Sequence, residues 1–281
     1  MPSAKPFTSK SLNPLSLPAG RAGEGSAKPF TSKTSPPGPL SHRGKAGEGV
    51  GLQIRRLGLI DYAGAVALQE DLVRDRISGS IPDTLLLLEH PPVITQGTGT
   101  HSENLLTSES GLIAAGIALH STNRGGDITY HGPGQLISYP ILNLLDHQPD
   151  VHWYVRSLEE VLIRLLAAYN LPGERVAGRT GVWVRGKKIA AIGVHVKRWV
   201  TSHGFALNVH PDLAHFGHII PCGIADAGVT SMAACGVGAE MGDVMSQVVG
   251  HFQQVFGFAR TDQVREKADA DLNLQTAFHS T

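Results

Sequence analysis

The sequence predicts a single α+β domain with mixed sheets and flanking helices, spanning about residues 51–260. Three observations lead to this prediction. Short apolar runs typical of strands cluster together, amphipathic segments with helical periodicity are inserted between them, and no linker-like stretch divides the region. With 41% hydrophobic and 17% charged residues in a chain of 281, the composition is that of a soluble globular protein with a sizeable core.

The first half of the domain is predicted to hold four strands and one helix. Asp61 can cap the helix, because its side chain can accept a hydrogen bond from the first turn. The helix has an apolar face made by Ala65, Leu68 and Leu72. The run DTLLLLEH is short and apolar, which favours a buried strand, and two prolines end it. The predicted helix covers 61–77, and the predicted strands cover 53–57, 83–90, 117–120 and 137–142.

The second half is predicted to combine two longer helices with three neighbouring strands. In both helices apolar residues recur at spacings of three and four, as on one face of an α-helix. Arg185-Gly186-Lys187 is typical of a hairpin turn between two β-rich stretches. The first helix, 151–169, carries Val151, Val155, Leu158, Leu162, Leu165 and Tyr169, and the last carries Met241, Val244, Val248, Phe252 and Val255. The strands are 181–185, 188–196 and 200–209.

The first fifty residues differ in composition from the rest, with eight prolines, eight serines and two aromatic residues. SAKPFTSK occurs at 3–10 and again at 26–33. Two copies so poor in apolar residues cannot bury a stacked core, so residues 1–50 are predicted to be a low-complexity, disordered tail. Residues 261–281 are predicted to be a polar C-terminal tail.

The composition also argues against several classes of protein. The longest apolar runs are far too short to span a bilayer, so no membrane partner is expected. Two cysteines cannot form a disulfide framework and nothing resembles a secretory signal, which favours the cytoplasm. The 17 basic and 22 acidic residues after position 50 argue against nucleic-acid binding. No HExxH or CxxC motif is present, and we expect no metal site.

The most distinctive motif is a glycine-rich stretch, RGGDITYHGPGQ, at 124–135. It lacks the Lys-Ser/Thr of a phosphate-binding loop and the glycine spacing of a dinucleotide-binding fingerprint. Its glycines let a ligand approach the backbone, because glycine has no Cβ, and Arg124 offers a fork of donors at its edge. A glycine-rich hairpin with a surface histidine would also fit this pattern. Its other polar side chains include Thr129, Tyr130, His131 and Gln135.

Two cysteines are candidate nucleophiles, although either could be an inert thiol. Cys222 lies between a proline and a glycine and is therefore predicted to be in a loop, whereas Cys235 has a small apolar setting. A thiol is mostly protonated near pH 7 and needs a nearby lysine or histidine to activate it. Consecutive lysines at the start of one strand point to opposite faces, so one of them can face a cleft. Spacing alone does not choose the partner, for which the candidates are Lys187, Lys188, His195 and His203.

These motifs closely resemble the lipoyl(octanoyl) transferase family, whose signature is R-G-G-x-x-T-aromatic-H-x-x-G-Q-x-φ-x-Y, with φ apolar. The residues that fit the signature are Arg124, Gly125, Gly126, Thr129, Tyr130, His131, Gly134, Gln135 and Tyr139. Further matching motifs are HPPVITQG (90–97), GVWV (181–184), KIAAIGVHVKRWVTSHGFALNV (188–209), PCGI (221–224) and GVTSM (228–232). The resemblance covers about residues 52–258.

The resemblance implies the catalytic fold of the biotin and lipoate protein ligases and an acyltransferase that needs no cofactor. In this family an octanoyl or lipoyl group passes from acyl carrier protein, through a thioester on an enzyme cysteine, to a lysine. The implied acceptors are lipoyl domains of 2-oxoacid dehydrogenases and the glycine cleavage H protein. By position, Cys222 matches the nucleophile and Lys188 matches the residue that lowers its pKa. The implied acyl-substrate contacts are Arg124, Gly125, Gly126, Asp127, Ile128, Thr129, Tyr130, His131, Ala191, Ile192, Gly193, Gly204, Phe205 and Ala206.

Two hypotheses concern polar side chains within this resemblance. His131 and His203 are expected to shape or polarise the thioester end of an acyl slot, although His131 could instead have a purely structural role. Basic side chains are candidates for docking an acidic carrier protein, and Arg124 is the favoured one because exposed lysines are usually only solvated. The other candidates are Arg179, Arg185, Lys187, Lys197 and Arg198.

The sequence departs from the family at two positions. Thr98 stands where members commonly have an arginine, and Ala191 stands where they often have a serine. The nearest rival function is an ATP-dependent lipoate or biotin ligase, which does not need a nucleophilic cysteine. Two less favoured functions are a non-catalytic module that binds acyl groups or a carrier protein, and a thiol hydrolase.

Overall fold

The computed structural model describes residues 51–221, 228–259 and 264–266, and it has the α+β organisation that the sequence predicts. The strands are β1 (Leu52–Leu59), β2 (Asp83–Glu89), β3 (Val93–Gln96), β4 (Ala118–Ser121), β5 (Ile128–His131), β6 (Gln135–Ile141), β7 (Glu174–Val176), β8 (Arg179–Val184), β9 (Lys187–Lys197), β10 (Val200–Asn208) and β11 (Val264–Glu266). The α-helices are α1 (Tyr62–Ser78), α2 (Glu109–Ala114), α3 (Val151–Ala168) and α4 (Met241–Phe256).

An eight-stranded sheet in the order β11-β1-β2-β6-β10-β9-β8-β7 forms the centre of the fold. β1 pairs parallel with β2 and β11, and the remaining pairs are antiparallel. Both faces of this sheet are buried. In β2, Leu85 and Leu87 pack with α3 and α4, whereas Leu86 and Leu88 pack with α1. Burial on both faces explains why β2 is a continuous apolar run rather than an alternating one.

A three-stranded sheet, in the order β4-β3-β5, has its own small core. β3 pairs parallel with β4 and antiparallel with β5. Ile94, Ile128 and Tyr130 are almost completely buried there, beside Leu112 of α2. Neither β3 nor β5 was predicted from the sequence, where the glycine-rich stretch was expected to be a loop. The equally short β4 was predicted at 117–120, but β3 directly follows two prolines and β5 lies among glycines, and these neighbours are typical of turns.

The elements with strong periodicity agree with their predictions to within a few residues. Asp61 caps α1 as expected, since its Oδ1 accepts a hydrogen bond from the backbone N–H of Gly64 at 2.8 Å. The turns of the β8–β9 and β9–β10 hairpins have positive φ at both central residues, which is typical of tight two-residue hairpins. These central residues are Arg185 and Gly186 in the first turn, and Arg198 and Trp199 in the second.

The predicted tails are mostly outside the described residues. Residues 1–50 are among them, so their predicted disorder stays a prediction. Val264–Glu266, beyond the predicted boundary at 260, pairs with β1 as an edge strand. Among the helices in the described part of the chain, none is both long and apolar enough to cross a membrane.

Candidate active site

Two adjoining cavities lie along β9 and β10. The larger encloses about 480 Å³ and the smaller about 290 Å³, counting the space at their openings. Thr129, Ala191 and Ala206 border both, so we describe them as two halves of one cleft. The Lys188 half is further lined by Gln135, Lys188, Ala190, Asn208, Phe216, Pro221 and Val229. The histidine half is further lined by Tyr62, Arg124, Gly126, Asp127, His131, Ile137, Tyr139, Ile192, Gly193, His203, Gly204 and Phe205.

Lys188 is the buried cation of its half of the cleft. Its neighbour Lys187 is exposed while Lys188 is 7% exposed, because successive strand residues point to opposite faces. The expectation that one of the two lysines faces a cleft is therefore met by Lys188. Its backbone is also fixed: its N–H donates to the Gly228 carbonyl and its own carbonyl accepts from the Thr230 N–H, both at 2.9 Å.

The side chain of Lys188 is held by two residues of β8. Its Nζ lies 5.2 Å from the centroid of the buried Trp183 ring, where the π-electrons of the indole favour a positive charge. Gly181 lies against the lysine stem, and a Cβ added there would come within 3.2 Å of Lys188 Cε. Its φ of +118° is also one that other residues rarely adopt. The motif GVWV thus serves to seat Lys188.

Cys222 lies outside the described residues, as does the whole segment 222–227. The described residues on either side of that segment lie beside Lys188. Pro221 lines the same half of the cleft, and Gly228 accepts the hydrogen bond from the Lys188 backbone. Cys235, the other cysteine, packs against the main core, with its sulfur 3.4 Å from the hydroxyl of Thr230.

A chain of hydrogen bonds from His131 through Gln135 to Asn208 joins the two halves of the cleft. Gln135 Nε2 donates to Asn208 Oδ1 at 2.9 Å and to the Tyr130 carbonyl at 3.1 Å. Asn208 Nδ2 donates in turn to the Thr230 carbonyl at 2.8 Å. Gln135 and Asn208 are 2% and 5% exposed, so losing a partner would leave a buried polar group unsatisfied. The Gln135–Asn208 chain therefore ties β5 and β6 to the segment that flanks Lys188.

Arg124 is a wall of the histidine half, 8% exposed. Its Nη2 donates to the Thr95 carbonyl at 2.7 Å, and both Nε and Nη2 donate to the Thr95 hydroxyl, at 3.2 and 2.9 Å. The expectation that Arg124 docks a carrier protein is wrong, because a buried guanidinium bound to β3 presents no surface to a large partner.

His131 is neutral and its orientation is fixed. Because both N–H groups of the Gln135 amide donate elsewhere, Gln135 Oε1 must accept, and His131 Nδ1 donates to it at 2.8 Å. His131 Nε2 is then the acceptor, 3.4 Å from the Thr95 hydroxyl. Burial, next to His90, lowers the pKa of His131 to about 3, so the ring carries no charge near neutral pH.

His203 has an unusual backbone and one ring nitrogen without a partner. Its φ is +54° within β10, and its N–H donates to Gln69 Oε1 at 2.7 Å. The ring donates through Nε2 to Asn123 Oδ1 at 2.8 Å, and its Nδ1 has no hydrogen-bond partner within the described ranges. Burial, with Arg124 nearby, lowers the pKa of His203 to about 4. Both histidines line the half of the cleft that Lys188 does not line, so their expected position at the thioester end is not supported.

Most of the predicted acyl contacts border the cleft, and three do not. Gly125, Ile128 and Tyr130 are absent from its lining. Ile128 and Tyr130 alternate along β5 with Thr129 and His131, so they point into the core of the small sheet instead. The hydroxyl of Tyr130 lies 2.6 Å from His215 Nδ1 on that side.

Close backbone approach explains two of the glycines at the cleft. A Cβ added to Gly193 would lie 2.8 Å from the Gly125 carbonyl oxygen, and one added to Gly204 would lie 2.2 Å from the Ser138 carbonyl oxygen. Contacts this short do not occur for real side chains, so these strands need glycine to pack against their neighbours.

Several residues of the histidine half were not predicted from the sequence. The ring of Tyr62 stacks on His131 at a centroid distance of 6.5 Å and meets His90 edge-on at 5.3 Å. His90, whose pKa burial lowers to about 4, lies 2.8 Å through Nε2 from the Tyr139 hydroxyl. The position of His90 directly after the apolar run of β2 could have marked it as a candidate site residue. Nothing in the local sequence marks Tyr62.

The chain matches one family model, the lipoyl protein ligase A/B catalytic domain, over residues 61–253. An octanoyltransferase of Solibacter usitatus is 55% identical over 205 residues, which cover 73% of this chain and 93% of that protein. An octanoyltransferase of Chloroflexus aggregans is 50% identical over 209 residues, covering 73% of this chain and 95% of that protein.

Solved structures with a similar fold have low sequence identity. A lipoate-protein ligase A bound with ATP superimposes with a TM-score of 0.61 at 17% identity, covering 77% of this chain and 89% of that chain. A bi-partite lipoate protein ligase from Thermoplasma acidophilum gives a TM-score of 0.59 at 17% identity, covering 78% of this chain and 89% of that one. These structures confirm the ligase-like catalytic fold that the family resemblance implied.

Proposed function

This chain belongs to the octanoyltransferases of the lipoyl protein ligase A/B catalytic domain family, and we propose that it transfers the octanoyl group through a thioester on Cys222. The proposed donor is octanoyl-acyl carrier protein. The proposed acceptors are lipoyl domains of 2-oxoacid dehydrogenases and the glycine cleavage H protein. One observation carries the proposal: a buried lysine lines a cavity together with the residue that precedes Cys222 in the chain.

In the first step the thiolate of Cys222 attacks the carbonyl carbon of the donor thioester. A new carbon–sulfur bond forms, the donor carbon–sulfur bond breaks, and the carrier thiolate leaves. The ammonium of Lys188 favours the thiolate of Cys222 before attack and supplies the proton that the departing carrier sulfur takes up. The products are the acylated enzyme and a free carrier thiol.

In the second step the acceptor lysine attacks the enzyme thioester as a neutral amine. The amide bond forms, the bond to the Cys222 sulfur breaks, and the proton lost by the amine passes to Lys188. This restores the ammonium and thiolate pair for the next cycle. Conversion of a thioester to an amide is downhill, so the reaction needs no ATP.

The histidine half of the cleft suits the acyl chain. Ile137 lines it, the small Ala191 and Ala206 lie between the halves, and three glycines, Gly126, Gly193 and Gly204, border it without a side chain. Two of its polar walls, His131 and His203, are kept neutral by burial, so they add no charge that an alkyl chain would have to displace. We propose that the thioester lies in the Lys188 half and the chain extends towards Gly193.

Intact mass measurement of the full chain incubated with octanoyl-acyl carrier protein tests the proposal. We expect the protein to gain the mass of one octanoyl group, and the Cys222→Ser variant to gain none. Cys235→Ser is the matched control and should still be acylated, because that cysteine packs against the core.

Two outcomes would overturn the proposal. The first is transfer at the normal rate by Cys222→Ser, which a non-covalent mechanism or a carrier-binding module would allow. The second is modification of the acceptor from free octanoate and ATP, which only a ligase would catalyse.

A further inference from the structure

The β8–β9 hairpin presents two exposed cations, three and one residues before Lys188 in the chain. Arg185 and Lys187 flank Gly186 at its turn, and all three residues are exposed. Lys187 is adjacent to Lys188 in the chain, and a Cβ added to Gly228 would touch the stem of Lys187 at 3.8 Å. Both cations are therefore close to the Lys188 half along the chain, with Lys187 on the solvent side of the strand.

Neither cation has an acidic partner in residues 51–221 and 228–259. Other surface arginines of the same region do have one. Arg74 pairs with Asp71 at 2.7 Å, and Arg164 pairs with Glu160 at 2.9 Å. A positive hairpin without such partners is complementary to an acidic surface on another protein.

The two substrates differ in how closely they must approach this hairpin. An acyl carrier protein presents its thioester at the end of a long pantetheine arm, so its body can dock far from the reacting carbon. A lysine of the acceptor has only a four-carbon stem. The protein that carries this lysine must therefore touch the residues immediately around the Lys188 half.

We propose that the Arg185–Lys187 hairpin docks the acceptor domain by pairing with an acidic face around its target lysine. The proposal rests on the transferase function proposed above. It adds to that function by assigning the acceptor domain and the carrier protein to different surfaces of the enzyme. The tight turn also favours docking, because Arg185 and Gly186 hold positive φ values of 51° and 76° and thereby fix where the two side chains emerge.

The test compares two pairs of charge reversals in the full chain. Arg185→Glu with Lys187→Glu alters the proposed surface. Arg74→Glu with Arg164→Glu alters two exposed arginines on α1 and α3 that do not line the cleft. The matched pair controls for the change in net charge.

Two rates are measured for each variant: acylation of Cys222 by octanoyl-acyl carrier protein, and transfer from the acylated enzyme to an unmodified lipoyl domain. We expect the first pair to raise the KM for the lipoyl domain by about tenfold or more, because the reversals place like charges together. Acylation of Cys222 and the maximal transfer rate should stay within about twofold, and the second pair should change neither rate. Added salt should raise the wild-type KM for the lipoyl domain.

Three results would each overturn the proposal: an unchanged KM for the lipoyl domain, a slower acylation of Cys222, or an equal effect of the second pair. A slower acylation would assign the hairpin to the carrier protein instead. Calorimetric titration of the unacylated enzyme with the lipoyl domain measures docking without chemistry. It therefore distinguishes a failure of this surface from a failure of the proposed thioester.

Discussion

The two halves of the cleft share three lining residues but differ in what their polar groups can do. In the Lys188 half, an ammonium seated against Trp183 and Gly181 lies beside Pro221 and Gly228, the described residues that flank residues 222–227. In the histidine half, His131 and His203 are held neutral, and Arg124 is bound to Thr95. Polar residues in one cleft therefore need not share one task, because in the proposed mechanism only Lys188 exchanges a proton with the reacting groups.

The largest expected effect comes from removing the ammonium of the Lys188 half. Lys188→Met should slow overall transfer by about 10²–10⁴-fold, since neither the thiolate nor the attacking amine is then assisted. Lys188→Arg separates the two tasks. Its charge still favours the thiolate, but a guanidinium does not lose its proton, so acylation of Cys222 should recover more than transfer to the acceptor.

Single-turnover acylation and transfer, measured separately, check this prediction. Lys197→Met serves as the control, because that lysine is exposed at the far end of β9. A rate for Lys188→Met within tenfold of the wild type would contradict the assignment of the Lys188 half.

The next largest effect should follow from cutting the Gln135–Asn208 chain that joins the halves. Asn208→Leu keeps the side-chain size but leaves the Thr230 carbonyl and a Gln135 N–H without partners. Each buried group left unsatisfied costs about 1–3 kcal/mol, so the free energy of unfolding should fall by about 3 kcal/mol in urea titrations.

The same variant should also disturb the Lys188 half. The pH midpoint for alkylation of Cys222 by iodoacetamide should rise towards that of an ordinary thiol. If stability falls but the pH midpoint of alkylation does not move, the Gln135–Asn208 chain stabilises the fold without positioning Cys222 and Lys188.

A smaller effect is expected on the pH dependence of stability, which tests whether the fold holds His131 neutral. The pKa of folded His131 is about 3, below the ordinary value near 6.5, so the unfolded chain takes up the proton first as the pH falls. The contribution of neutral His131 to the free energy of unfolding is therefore complete above about pH 6.5, and it is lost as the pH falls towards 3. At pH 5 the loss is about 2 kcal/mol.

Urea unfolding at pH 8 and pH 5 measures how far the free energy of unfolding falls between the two pH values. In His131→Gln this fall should be smaller than in the wild type by about 2 kcal/mol. His101→Gln is the control, because that histidine side chain is 72% exposed. An unchanged pH dependence in His131→Gln would mean that His131 is not held neutral by the fold.

The smallest effect is expected at Thr98, the departure from the family pattern. Its backbone N–H, rather than its side chain, makes the shorter bond to the Arg124 carbonyl, at 3.0 Å. Thr98→Arg should therefore change stability by less than about 0.5 kcal/mol in thermal unfolding. We expect transfer to stay within about twofold, and a large rise in acylation of Cys222 would reveal that this position meets the carrier protein.

The sequence predicted more of the large sheet than of the small one, for a physical reason. β2, α1 and α3 are long enough for their apolar periodicity to be read, and all three were predicted. β3 and β5 directly adjoin prolines and glycines, and their pairing depends on segments more than thirty residues apart, such as Thr95 and Thr129. The local sequence pattern does not predict which distant segments pair.

The same division holds for the site. The family resemblance of the sequence implied the candidate dyad of Cys222 and Lys188, which the spacing of the residues alone had left open. The sequence by itself determined that one of two consecutive lysines turns inward, since alternation is a local property of a strand. Only the tertiary structure decided that Arg124 is buried, that Tyr130 faces away, and that Gln135 meets Asn208, 73 positions later in the chain. Those outcomes depend on which distant segments pack together, and packing is settled by the whole fold.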